Sequence, residues 1–484
     1  MAHDCEGGSG LVFLDMEGPW SYPVDNLRAR HTDRRNARLS HSPYQEPAFK
    51  DKDVIPRLTT KRVLCVTFFF LLAIASRPVL SIAEEMLPET EKVFGKYSDR
   101  VVKIQVVEKE SGAKAVIGSG FFVDPDGTIV TNYHVISKLI LHPDRYRAEL
   151  VEPAGTVRAL SVKNVDVIND LALIQAEVRG VTFFRIAARE PQQGTRLYSM
   201  GFPQDIGLSI VEGTYNGLMK HALYRKIHFT APINPGMSGG PTINASGEVV
   251  GVNVSSRGQA ISFLVPADAV TRLMNLADTG KKGPQNFLED IRNQIFAHQE
   301  VFFSDDLIRS GQTVRIGHYR LPGQLSSFFK CWGDSSHQEN SSYQSVDHRC
   351  STDDYIYISG EHSSGIIRFS HRLITSDEMN PFRFNHLYSE SFKSSGHYMA
   401  GNEEEVTKFQ CKSGTVKRGE IVFKTAFCAR GYRKLRGLYD VVFKAAVLSS
   451  ENSGLETELD ISGVSFEKAV VLTKGYLEMI TWEK

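Results

Sequence analysis

Short apolar runs separated by polar turns dominate this chain beyond its first hundred residues. Gly120 to Val123 and Thr128 to Thr131 read as two strands, joined by a hairpin at Asp124-Pro125-Asp126-Gly127 where Pro and Gly favour reversal. A third apolar run, Leu171 to Ile174, comes directly after Asp170. Pro266 to Leu276 reads as a helix, and the polar Gly/Pro stretch Asp278 to Pro284 after it marks a domain boundary. From Phe287 to Phe302, Phe287, Leu288, Ile291, Ile295 and Phe296 recur at helical spacing, the stripe of a helix packed on a core. Beyond Ile308 the period shortens to that of strands, as in Tyr355 to Ile358, Gly365 to Phe369 and Val441 to Lys444. Ser-rich stretches at Gly333 to Ser345 and Ser389 to Ser395 read as turns between them. The pattern predicts an all-β protein whose second half, 308–484, is a β-rich domain, expected as a sandwich of unknown role.

The first 60 residues break this pattern. Pro19, Pro23, Pro43, Pro47 and Pro56 interrupt any periodicity, and Arg28, Arg30, Arg34, Arg35 and Arg38 make the tract basic and poor in apolar residues, so 1–60 is expected to be a disordered extension. Lys61-Arg62 then precedes an uncharged run from Val63 to Ala75, with small residues at Ser81-Ile82-Ala83. That is the layout of a signal peptide over 61–83, its apolar run being shorter than the roughly 20 residues a membrane span needs. Signals ordinarily open a chain. The readings are translation beginning near Leu58, residues 63–75 kept as an uncleaved signal anchor that gives the only membrane contact, or, as a third, a buried core helix. The expected divisions are therefore 1–60, 61–83, a first folded domain over 84–278, a linker and helix over 279–307, and 308–484.

At 484 residues with 41% hydrophobic residues, the chain has enough apolar material for two cores. Its 56 basic and 56 acidic residues balance, which leaves no electrostatic footprint for nucleic acid. The histidines show no H-x-x-x-H spacing, the cysteines no C-x-x-C, and no phosphate-binding loop occurs, so no cofactor or metal is expected.

Candidate chemistry lies in Pro235-Gly-Met-Ser-Gly-Gly-Pro241. Amide hydrolysis needs a nucleophile, a base, a group that orients the base, and donors aimed where negative charge develops. Ser238 is the candidate nucleophile. Gly236, Gly239 and Gly240 remove Cβ atoms where the backbone turns tightly and a substrate approaches. Upstream, His134 stands just beyond the strand Thr128 to Thr131, an imidazole at a strand terminus. Asp170 abuts an apolar strand, so burial and fixed geometry favour it over Asp166 as the orienting acid.

The order His, Asp, Ser, carried by G-S-G-F, T-N-Y-H-V, D-L-A-L-I, Gly201-Phe202-Pro203 and P-G-M-S-G-G-P, resembles the trypsin-like serine peptidases, and within them the HtrA/Deg group and its bacterial relatives. The resemblance extends over about 93–276, where Gly251-Val252-Asn253 and Ala260 to Pro266 are similar to that group's closing strands. It implies a chymotrypsin-like fold of two six-stranded antiparallel barrels with the site between them. By the same resemblance His134 is general base and then acid, Asp170 orients it, Ser238 is the nucleophile, and the N–H groups of Gly236 and Ser238 form the oxyanion hole. Met237 departs from the digestive branch, which has an aspartate there to pair with a newly cut N-terminus. No PDZ domain, usual in the HtrA group, is recognisable downstream.

The function expected is that of a secreted or periplasmic serine endopeptidase acting on proteins or peptides; the alternative is a catalytically silent binding protein whose C-terminal β-domain recognises a protein or cell-envelope ligand. The segments expected to line a primary pocket, Phe229 to Asn234 and Val252 to Ser256, contain no acid, which favours small or aliphatic residues over Lys or Arg. No cysteine falls between Glu84 and Leu276, whereas Cys331, Cys350, Cys411 and Cys428 lie in the β-rich half. Four cysteines allow three pairings. Cys331–Cys350 and Cys411–Cys428 are favoured because each brackets a short segment that a local bridge closes. Loss of the signal would also remove Cys5 and Cys65, so N-terminal sequencing of exported protein should find a chain beginning near Glu84; a chain beginning at Met1 and resisting extraction from membranes would establish the anchor instead.

Overall fold

Two β-barrels and a seven-stranded sheet make up the computed structural model, which describes residues 88–483 apart from 153–154, 259, 279–283, 285, 304–306, 309–310, 337–340, 361, 395–398, 400 and 449–451. The N-terminal extension and the signal segment lie outside the described residues. Among the described residues, no helix is long and apolar enough to cross a membrane.

After a short helix, α1 (Glu89–Tyr97), six strands close the first barrel in the order β1-β2-β3-β6-β5-β4. They are β1 (Val101–Glu108), β2 (Lys114–Phe122), β3 (Thr128–Thr131), β4 (Tyr146–Val151), β5 (Val157–Asp166) and β6 (Leu171–Ala176), with α2 (Tyr133–Leu141) inserted after β3. The hairpin expected at Asp124 to Gly127 is present: the Asp124 carboxylate accepts the N–H groups of Asp126 and Thr128 at 3.0 and 2.9 Å. The second barrel comprises β8 (Arg196–Gly201), β9 (Ser209–Leu218), β10 (Ile227–Thr230), β11 (Pro241–Ile243), β12 (Glu248–Ser256) and β13 (Ser262–Pro266). It runs β11-β8-β9-β10-β13-β12 and closes where β11 pairs with β12; β7 (Arg185–Ile186) adds to β12 in parallel. Closure leaves neither barrel with a free edge among these strands, so cross-strand hydrogen bonds and apolar filling hold them without cysteines.

Helix α3 (Ala267–Asp278) packs on the barrels, and α4 (Phe287–Phe302) continues the chain with the limits its apolar stripe predicts. The α4 N-terminus is capped by Asn286, whose side chain accepts from the N–H groups of Leu288 and Glu289. Its Ile291 and Ile295 enter the first-barrel core, while Phe302 enters the core of the C-terminal half.

That half is built on one antiparallel sheet, ordered β16-β17-β20-β24-β23-β22-β21. Its strands are β16 (Phe329–Ser336), β17 (Gln344–Thr352), β20 (Ile367–Thr375), β21 (Gln410–Arg418), β22 (Ile421–Gly431), β23 (Leu438–Val447) and β24 (Ser453–Ser465). Among the described residues, a second large sheet, as in a sandwich, does not cover it. The second layer is instead helix α6 (Phe466–Glu478), which lays Leu472, Tyr476 and Leu477 on the sheet, together with a three-stranded sheet of β14 (Thr313–Ile316), β15 (Tyr319–Pro322) and β25 (Thr481–Trp482). Helix α5 (Pro381–Ser394) covers part of the opposite face with Phe384 and Tyr388. The expected turn at Ser389 to Ser395 is corrected accordingly, because residues through Ser394 finish α5 and packing of its aromatic face outweighs the turn preference of serine.

Cys331 joins Cys350 and Cys411 joins Cys428, the two pairings favoured from sequence. Each links an outermost strand of the seven-stranded sheet to its inner neighbour, at directly opposed positions. Loops of this size contribute about 3 kcal/mol each in the chain-entropy account. Peptide mapping of unreduced protein should recover these two cross-links and no Cys350–Cys411 peptide, and reduction should lower the unfolding midpoint in urea.

Candidate active site

The end of β3, the start of α2 and the start of β6 meet at Asp170. This residue has φ +54°, a left-handed conformation that aspartate and asparagine tolerate better than most residues. Its backbone carbonyl accepts the Tyr133 N–H at 3.2 Å and the Asn132 side-chain amide at 2.8 Å. The carboxylate then has both oxygens on one residue: Oδ1 accepts the His134 N–H at 2.8 Å, and Oδ2 lies 2.6 Å from His134 Nδ1. Two such contacts fix the ring's position and assign the Nδ1 proton to the side facing Asp170, leaving Nε2 free to act.

His134 stands just beyond β3, in the first turn of α2. Burial of the imidazole lowers its pKa, while the charge and hydrogen bond of Asp170 raise it by more, so the net displacement is upward from 6.5. Asp166 has a different task. Its carboxylate accepts the Asn169 N–H and side-chain amide at 3.0 and 2.7 Å and shapes the turn that leads into Asp170.

Ser238 and Gly236 lie in the connection between β10 and β11. Gly236 has φ +98°, and a Cβ there would fall 2.3 Å from the Phe202 carbonyl oxygen, so only glycine fits. Ser119 of β2 holds this connection twice: its hydroxyl donates to the Gly236 carbonyl at 2.7 Å, and its N–H donates to the Ser238 carbonyl at 2.8 Å. Gly239 seats the loop against the segment leading to His134; a Cβ there would lie 2.3 Å from Thr131 Oγ1 and 3.0 Å from the Asn132 nitrogen. Among the described residues, the N–H groups of Gly236 and Ser238 have no hydrogen-bond acceptor. Met237 is fully buried with Leu197, Phe229 and Ile233, an apolar anchor where the digestive branch uses a charge.

Residues 118–252 match the trypsin-like peptidase domain. This stretch contains His134, Asp170 and the serine loop. The barrels carry a trypsin-like peptidase domain, similar to those of the HtrA serine proteases. The similar proteins include Protease Do-like 5, chloroplastic, of Arabidopsis thaliana, 29% identical over 214 residues, covering 37% of this chain and 66% of that protein. Serine protease HTRA2, mitochondrial, of Bos taurus is 31% identical over 204 residues, covering 39% of this chain and 43% of the relative. Putative serine protease HhoB of Synechocystis is 29% identical over 176 residues, covering 34% and 41%. The chain thus spans between about two fifths and two thirds of the length of these relatives.

The C-terminal half contributes to the peptidase domain's cleft, a feature with no motif to announce it. Tyr357 lies in β18 (Ile356–Tyr357), which pairs with β19 (Ser363–Ser364) in a small hairpin. It sets its ring edge-on to the His134 imidazole with centroids 5.7 Å apart. The adjacent Ile358 carbonyl accepts the Tyr133 hydroxyl at 3.0 Å, across 225 positions of sequence. A cavity of about 930 Å³ runs from His134 and Asp170 past Val254 to Tyr357 and Trp332. Of the two segments expected to line a primary pocket, Phe229, Ala231 and Ile233 point into the second-barrel core, whereas Val254 to Ser256 do face the cleft. Acids also reach the cleft, from outside the barrels: Asp354 pairs with Lys226 at 2.9 Å, and Asp353 with Arg257 at 3.3 Å and with Lys330.

The His134–Asp170 pair has a definite sign of pH dependence. A histidine whose folded-state pKa is raised adds stability that is fully present below pH 6.5 and is lost as pH rises through the raised value. NMR titration of His134 should give a midpoint above 6.5, and Asp170→Asn, which suits the same φ, should move that midpoint down; an unchanged midpoint would mean the carboxylate does not govern the ring.

Proposed function

We propose that this protein is a serine endopeptidase in which His134, Asp170 and Ser238 act as a triad and the N–H groups of Gly236 and Ser238 bind the oxyanion. The double contact of Asp170 with His134, beside a glycine-rich serine loop in a trypsin-like domain, carries this reading. His134 Nε2 takes the Ser238 hydroxyl proton as Oγ bonds to the scissile carbonyl carbon. Negative charge on the carbonyl oxygen meets the two N–H groups, neither of which has an acceptor among the described residues. The imidazolium returns its proton to the leaving amine as the C–N bond breaks, giving an acyl-enzyme and the first product. Water, deprotonated by His134, then attacks the ester, and the acid product departs as Ser238 regains its proton.

Substrates on this reading are proteins or peptides. A strict preference for Lys or Arg is not expected, because Asp353 and Asp354 are both already engaged by cations, and small or aliphatic residues remain favoured. The signal-like segment 61–83 supports a secreted or periplasmic site of action, with the catalytic domain over 84–278.

A fluorophosphonate probe should label the protein at Ser238, and Ser238→Ala should abolish labelling and peptide hydrolysis. Asp170→Asn should reduce turnover on the order of 10⁴-fold, and its loss should not add to that of His134→Ala. Asp166→Asn should be mild, since its carboxylate shapes a turn. Full hydrolysis by purified Ser238→Ala would overturn the assignment, and wild-type protein inert to the probe would support the binding-protein alternative.

A further inference from the structure

The outermost strand β16 is poised to accept another strand. In an antiparallel pair, opposed residues alternate between wide pairs that exchange hydrogen bonds and narrow pairs, about 4.5 Å between Cα atoms, that direct N–H and C=O away from each other. Cys331 and Cys350 are opposed with Cα atoms 4.1 Å apart, a narrow pair. The backbone groups of Cys331, and by alternation those of Phe329, Gly333 and Ser335, therefore face away from β17. Phe329 agrees with this, since its N–H donates outward to the Ser326 carbonyl and its carbonyl accepts from the Gln324 side chain. The Ser335 N–H is taken by the Asp334 carboxylate at 2.8 Å. Among the described residues, the N–H groups of Cys331 and Gly333 and the carbonyls of Cys331, Gly333 and Ser335 have no partner.

Edges of this kind are normally blunted by lysine, proline or a bulge. β16 has no proline and one lysine, Lys330, whose side chain is taken up by Asp353, and its register with β17 runs without a shift. The opposite edge, β21, carries Lys412, Lys417 and Arg418 instead. Only β16 also borders the cleft that holds His134, where Lys330, Cys331 and Trp332 form part of its wall. Trp332 and Tyr355, 58% and 50% exposed, offer apolar surface beside the open backbone.

We propose that β16 is a docking edge for the substrate itself: an extended, unfolded polypeptide pairs with Cys331 to Ser335 as an additional antiparallel or parallel strand, while another part of the same chain lies at His134. Outward groups recurring about every 6.8 Å match those of any extended chain, so pairing selects for unfolded backbone more than for particular side chains. The disulfide holds the edge in register before substrate arrives. This inference rests on the peptidase reading for its occupant, and its test separates the two.

Gly333→Pro deletes one outward N–H without removing a bond to β17, and proline is tolerated on edge strands. Gly333→Ala keeps the N–H, and its Cβ would meet nothing closer than 3.7 Å. With β-casein as the unfolded substrate, Gly333→Pro should raise KM about fivefold, the worth of one net hydrogen bond, with kcat little changed, while Gly333→Ala stays within about twofold of the parent. Fluorophosphonate labelling at Ser238 reports separately whether the catalytic centre is intact. In the inactive Ser238→Ala protein, β-casein should slow amide exchange at Cys331 and Gly333, which reads docking whether or not the protein is a peptidase. Unchanged KM together with unchanged exchange would overturn the docking edge and leave the peptidase reading standing. Protection that arises without β-casein and grows with protein concentration would overturn it also, by assigning the edge to a second copy of this chain.

Discussion

The Asp170 junction is the constraint on which the site depends. One residue in a left-handed conformation engages Tyr133 and Asn132 through its backbone carbonyl and His134 through both carboxylate oxygens. The start of β6 is thereby tied to the start of α2, and the imidazole is held from the backbone side and the ring side at once. Nearby, Ser119 performs the corresponding service for the serine loop, and Gly239 brings that loop against Thr131 and Asn132. The groups of the proposed site, drawn from both barrels, are thus located by hydrogen bonds to rigid strands, the arrangement that electrostatic preorganisation requires.

A second constraint joins the peptidase domain to the C-terminal half. Tyr133 and Ile140 of α2 share one continuous apolar cluster with Ile356, Tyr432 and Leu438 of that half. Full burial of a large apolar side chain contributes about 1.5–3 kcal/mol, so a cluster of this kind holds the two halves together firmly. Helix α4 adds polar contacts on both sides. Gln294 bonds the Val165 carbonyl and the Val167 N–H in the first barrel, and the buried Gln299 bonds the Gly463 carbonyl and the Ser465 N–H at the end of β24. Tyr357 consequently reaches His134 as part of a packed wall. The cleft is shaped by the whole of this unit, and a reading confined to the barrels misses its acids and its aromatic surface.

Much of the peptidase half was legible from local pattern. The hairpin at Asp124, the strand that begins at Leu171 and the α4 limits all come from turn chemistry and hydrophobic period, which act over a few residues. Cysteine pairing was legible for the same reason, each bridge joining positions fewer than 20 apart. Helices α5 and α6 were missed because their aromatic and β-branched residues suit strands as well, and only packing on the seven-stranded sheet decides between the two states. The lining of the primary pocket was misjudged in part, since alternation along β10 turns Phe229 inward, and the sequence alone does not say which face is inward.

The sequence by itself determined the residue types and their order: a histidine after one strand, an acid before another, a serine among glycines, and four cysteines in the C-terminal half. Tertiary structure alone decided that Asp170 engages both the N–H and the ring of His134, that Tyr357 stands beside them, and that β16 rather than β21 borders the cleft. These depend on contacts between segments far apart along the chain. Such contacts are set by which apolar faces bury one another when the halves pack, and no period or spacing along the chain records that outcome.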